Sequence, residues 1–261
     1  MRQNRSQEGK PTIPTTTVHI PTPDGQADAF AAFPDDGLPH PGILLYMDAF
    51  GLRPVLEDMA RELASHGYYV LVPNVYYRHG PTPVVELPDH ITAELRPDLF
   101  TKLIPLVKEH TPDRVLSDAS AFLAFLTSRP EVSGGPVGVI GYCMGAVLAM
   151  RTAAAHPDQV AAVAGFHPGA LVTDEPDSPH RLVGTVTARV HLGLAVNDLT
   201  PETIAELERA MDTAGITYTR ETYPDTVHGF TMADTDAFNP AGLQRHWDRL
   251  LPLLDRTLVT G

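Results

Sequence analysis

Short apolar runs alternate with stretches of helical period along this chain, and that alternation restricts its fold more than any other feature. GILLYM (42–47), YYVLVP (68–73), PVGVIGY (136–142), QVAAVAGF (159–166) and ARVHLGLA (188–195) are apolar almost throughout, as strands covered on both faces are. ITYTRETY (216–223) is a further strand. RPVLEDMARELASHG (53–67) has a helical period that puts Val55, Met59, Leu63 and Ala64 on one face, with Gly67 closing it. Helices are also expected over 97–110, 113–130, 145–156, 201–215 and 240–258. Strands separated by helices predict an α/β fold, a mostly parallel central sheet with helices on both faces.

Two parts of the chain stand outside this alternation. TTVHI (16–20) and ADAFAAF (27–33) predict an opening antiparallel hairpin turned by PTPDGQ. Residues 74–112 are proline-rich and read as an excursion over the sheet edge. Residues 1–15 are polar and read as a flexible N-terminal tail, and 16–258 as a single domain. The tail lacks an apolar segment of the kind a secretory signal needs, and no run approaches the length of a membrane helix. With one cysteine there is no internal disulfide, so a cytoplasmic protein is expected. A formal net charge of −13 repels phosphate backbones, which argues against nucleic acid as a partner. No metal-ligand spacing and no glycine-rich nucleotide loop occurs, so neither a metal nor a cofactor is indicated.

The single cysteine, Cys143, lies in GVIGYCMGAVLAM (138–150), between a strand and a helix, with glycines two residues before and after it. A nucleophile on so sharp a corner crowds those two positions, and Gly141 and Gly145 remove the side chains that would clash. A helix N-terminus also favours a thiolate. In a sheet of this kind function gathers at the carboxyl ends of the strands. Two other strand ends carry suitable groups, Asp198 after 188–195 and His228 after 216–223. Nucleophile, acid, histidine is the chain order of the α/β-hydrolases.

Through GYCMGA, NDLTP, HGF, MDAFGL (47–52) and ASHGYYVLVPNVYYR (64–78) the sequence resembles the dienelactone hydrolases of the α/β-hydrolase superfamily. The resemblance spans most of 16–257. It implies an α/β-hydrolase fold and a cofactor-independent enzyme that cleaves a small-molecule ester or lactone through a thioester. It implies Cys143 as nucleophile, His228 as base and then acid, and Asp198 as the carboxylate that orients the imidazole. The oxyanion hole falls on the backbone amides of Met144 and Ala49. Asp48 stands where the family has a glutamate near the thiol and is one methylene shorter. Met232 stands where dienelactone-cleaving members have an arginine for a substrate carboxylate, which leaves Arg53 and Arg78 as candidate substitutes. His167, Phe230, Tyr76 and Tyr77 are candidate pocket walls. The same scaffold also admits an isomerase, cyclase or lyase in which His228 moves a proton without an acyl-enzyme. A non-catalytic binding module is the third reading, and the complete Cys, Asp and His set argues against it.

Overall fold

A computed structural model describes residues 13–259. Of the expected tail, 1–12 lie outside the described residues, and Thr15 already belongs to the first strand. The chain order is β1 (Thr15–Thr22), β2 (Gly25–Ala32), β3 (Gly42–Tyr46), α1 (Pro54–Ser65), β4 (Tyr69–Pro73), α2 (Arg96–Lys108), α3 (Pro112–Thr127) and β5 (Val137–Tyr142). It continues with α4 (Met144–Ala155), β6 (Val160–Phe166), a short α5 (Pro179–Leu182), β7 (Arg189–Leu194), α6 (Pro201–Ala214), β8 (Tyr218–Thr222) and α7 (Pro240–Leu258). The eight strands form one sheet in the order β1-β2-β4-β3-β5-β6-β7-β8. β1 pairs antiparallel with β2, and β2 antiparallel with β4; every other pairing is parallel.

The burial of each strand follows its place in that order. β3, β4 and β5, in the interior of the sheet, are buried at every residue, which is why they read as unbroken apolar runs. β8 lies at an edge and has no fully buried residue. Two glycines of β5 show how the helices are distributed. A Cβ on Gly138 would meet Leu254 and Leu258 of α7, and one on Gly141 would meet the first turn of α4. Positions three apart in a strand face opposite ways, so α7 and α4 cover opposite faces of β5. This is the expected two-sided α/β layering.

Local differences from expectation have simple causes. The hairpin turn is tighter than PTPDGQ, because the strands pair out to Thr22 and Gly25. Val55 is only half-buried on α1, and Leu56 and Ala60 join Met59, Leu63 and Ala64 inside. The buried stripe starts one residue later because Val55 turns toward the loop region 82–89. α5 carries no helical period in the sequence, since four residues cannot display one.

Among the described residues, no helix is long and apolar enough to cross a membrane.

Candidate active site

The strand-to-helix corner is tight. Cys143 has φ 53° and ψ −114°, a conformation that side chains rarely adopt and that costs energy to hold. Its neighbours leave no alternative. A Cβ on Gly141 would lie 2.0 Å from the Gly145 carbonyl oxygen. A Cβ on Gly145 would lie 2.6 Å from the carbonyl oxygens of both Tyr46 and Met47. The corner is anchored by the Cys143 N–H donating to the Phe166 carbonyl (3.1 Å) and the Gly169 N–H donating to the Cys143 carbonyl (3.1 Å). The thiol is therefore raised above the ends of β5 and β6, at the first turn of α4.

Two loops bring the expected partners to it. His228 places Nε2 3.1 Å from the Cys143 sulfur, and its Nδ1–H donates to Asp198 Oδ1 at 2.7 Å. The Asp198 carboxylate is fully buried and also accepts the Ala195 N–H at 2.5 Å, which fixes it across the end of β7. Asp225, three residues before His228, is exposed with φ 56° and takes no part in this chain of bonds. Burial by itself would push the His228 pKa down. The hydrogen bonds His228 makes with Asp198 and Cys143, together with its electrostatic interaction with both, outweigh it and raise the pKa to about 10. His228 thus favours its protonated form at neutral pH.

Ala49 borders the space at the sulfur, and Met144 opens α4, where an N–H has no intrahelical acceptor. Tyr76 ties these two together. Its hydroxyl donates to the Ala49 carbonyl at 3.0 Å and sits 3.6 Å from the Met144 sulfur.

Asp48 borders the same space, but its oxygens are engaged elsewhere. Oδ1 accepts the Phe50 N–H (3.0 Å) and Arg53 Nη1 (2.6 Å), and Oδ2 accepts Arg53 Nη2 (3.0 Å). Arg53 also donates from Nε to Asp234 Oδ2 at 2.6 Å. Desolvation opposes the charge of this buried guanidinium, and the two carboxylates more than offset it, so its pKa is raised. Arg53 is accordingly a doubly paired structural cation, with no donor pair turned to the thiol.

His167 lies at the end of β6 with φ 37°. It is fully buried, held by Thr231 Oγ1 at 2.7 Å from Nε2, and packs edge-on against the His228 ring at 5.3 Å. Its Nδ1 has no partner among the described residues. Burial, reinforced by His228, holds its pKa well below the ordinary value, so it borders the site as a neutral ring.

Three expectations are corrected. Arg78 is not at the site: it forms a forked pair with Asp118 (2.7 and 2.8 Å) and a bond to Asp24 (2.8 Å), which hold it over the β1–β2 hairpin. Phe230 is not a wall of the cavity at Cys143. It is wholly buried, packed against His167 and Tyr223. Tyr77 likewise turns to Thr22 and Asp118. Met232 does border the cavity.

Sequence reasoning missed Arg96 and Phe100, both on α2 and both bordering the cavity. Arg96 donates two long bonds of 3.3 Å to the His228 carbonyl and stacks over Phe100 at 5.5 Å. Among the described residues it makes no ion pair. The signal was present as an arginine opening a helix of the excursion, but nothing in the sequence says where the excursion folds back.

A sequence model described as the "Dienelactone hydrolase family" matches residues 27–258. A Methylorubrum extorquens protein named "Putative carboxymethylenebutenolidase" is 30% identical over 241 residues, spanning 89% of this chain and 78% of its own. A carboxymethylenebutenolidase of Pseudomonas sp. is 26% identical over 85% of this chain and 87% of its own. The crystal structure titled "Putative Dienelactone Hydrolase" from Klebsiella pneumoniae superposes with a TM-score of 0.81 at 20% identity, over 94% of this chain and 99% of that one. The architecture is that of an α/β-hydrolase.

Proposed function

The chain belongs to the dienelactone hydrolase family, and from that premise we propose that it is a cofactor-independent, cytoplasmic hydrolase of a small ester or lactone, working through a thioester on Cys143. The observation that carries this reading is the continuous chain from the Cys143 sulfur to His228 Nε2 (3.1 Å) and from His228 Nδ1 to Asp198 (2.7 Å). In this reading 16–258 is one catalytic domain.

The thiolate of Cys143 attacks the ester carbonyl carbon, and the carbonyl electron pair moves to oxygen. The resulting oxyanion takes hydrogen bonds from the amides of Ala49 and Met144. Collapse breaks the bond to the alcohol oxygen, which leaves with the proton from His228 Nε2; in a lactone it stays tethered to the acyl group. Water then gives a proton to the now neutral His228 and attacks the thioester. The second collapse returns the thiolate and releases the acid. Asp198 keeps the imidazole facing the sulfur and stabilises its charge throughout.

Intact-mass spectrometry after mixing with activated esters and lactones tests this reading. We expect one acyl group added per chain, located on Cys143, with no addition to Cys143→Ala. Turnover of the same compounds by Cys143→Ala at the native rate would reject it.

A further inference from the structure

The space at the Cys143 sulfur is small. It measures about 10 Å³, room for a single water-sized group. A second cavity of about 540 Å³ lies beyond Phe50, within the range that holds drug-sized ligands. Phe50 borders both spaces, 7% exposed, with its ring edge-on to Phe100 at 5.3 Å. Its backbone is held by Asp48, which accepts the N–H of Phe50 on its side chain and that of Gly51 on its carbonyl. Phe50 is thus the wall that the two spaces share.

The walls of the large cavity come from the loop after β3, α1, α2 and the segment 82–89. Leu52, Val55, Val84, Val85, Leu87 and Leu103 make them largely apolar. The charged groups there are Arg53, Asp234, Glu86 and Asp89. Arg53 is already paired with two carboxylates, whereas Glu86 and Asp89 make no ion pair among the described residues and stand exposed at the rim. An anion in this cavity would meet two uncompensated acids and no free cation. Arg96, which makes no ion pair among the described residues, borders the small space at Cys143 and not this one.

We propose that this cavity receives the larger substituent of the ester, and that this substituent is apolar and carries no negative charge. The proposal rests on the hydrolase reading above and adds the substrate class to it.

The test uses two ester series. In one the acyl group grows from acetyl to hexanoyl on a trifluoroethyl alcohol; in the other the alcohol grows from trifluoroethyl to 2-naphthyl on acetyl. Each large ester has a counterpart ending in a carboxylate. Comparing protein variants on the same compound cancels intrinsic reactivity. Val85→Trp, on a half-buried loop position, is expected to lower kcat/KM for a large uncharged ester of at least one series tenfold more than for trifluoroethyl acetate. Val84→Trp serves the same purpose if the first variant does not fold. Glu86→Gln with Asp89→Asn is expected to raise kcat/KM of the carboxylate esters over their uncharged partners at least threefold. Equal effects of the tryptophan on small and large esters in both series overturn the proposal, as does native preference for the carboxylate esters. Acylation of Cys143 by trifluoroethyl acetate is read separately by mass. Its presence beside either overturning result rejects the cavity assignment alone, and its absence with every ester rejects both.

Discussion

The surroundings of His228 act on it in opposite directions. Its pKa, raised to about 10 by Asp198 and Cys143 against the pull of burial, lies above the value of about 6.5 for an unfolded histidine. The protonated form is therefore favoured by folding. The stability it contributes is fully present below pH 6.5 and is lost as pH rises through about 10. We expect an alkaline limb of kcat/KM near pH 10, where the proton needed by the leaving group is lost. Asp198→Asn removes a principal cause of the rise, so the limb moves to lower pH and the plateau falls by about a hundredfold or more. A pH–rate profile of both proteins checks this, and a limb that stays in place refutes it. Asp48 has a different part. Its loss leaves the buried Arg53 with one carboxylate instead of two, so Asp48→Asn should cost about 3 kcal/mol. Urea unfolding measures the loss, and a change below about 1 kcal/mol contradicts it.

At the scale of the element, the strand-to-helix corner is held by close backbone packing. Gly145→Ala drives a methyl group to 2.6 Å from two backbone carbonyls of the β3 end, and backbone cannot step aside as a flexible side chain does. We expect a loss of about 3 kcal/mol or more, or failure to fold. Gly184→Ala is the matched control: its Cβ meets nothing within 4 Å and its backbone is ordinary, so thermal unfolding should change by no more than about 0.5 kcal/mol. This corner was legible in the sequence because both glycines lie within two residues of Cys143. Asp198 and His228 were legible because each lies in the loop that leaves the end of a strand, β7 and β8. The rest depended on distance along the chain. Arg53 meets Asp234 across 181 residues, and no local pattern encodes such a pair. Arg96 was hidden for the same reason, since α2 reaches His228 132 residues away. Arg78 was a candidate because it lies in the loop leaving β4, while the partner that withdraws it, Asp118, lies 40 residues on, on α3.

At the scale of the whole molecule, the charge of −13 sets how reagents approach the thiol. The field opposes anions beyond about 10 Å at low salt and is screened as salt rises. Cys143 is the only thiol in the sequence, so alkylation reads that one site. We expect the rate of iodoacetate labelling relative to iodoacetamide to rise as ionic strength goes from about 10 mM to 500 mM. Arg96 and His228 favour the anion locally at every salt concentration, so only the change with salt reports the global field; a flat ratio refutes it. Arg53 also acts across the molecule. By gripping Asp48 on one side and Asp234 on the other, it joins the loop that presents Ala49 to the loop that follows His228. Loop exchange between homologues must respect that junction. A graft that brings in a foreign 231–236 segment without its own acid opposite Arg53 will disturb the loop that carries Ala49 as well, so the two loops should be engineered as a pair.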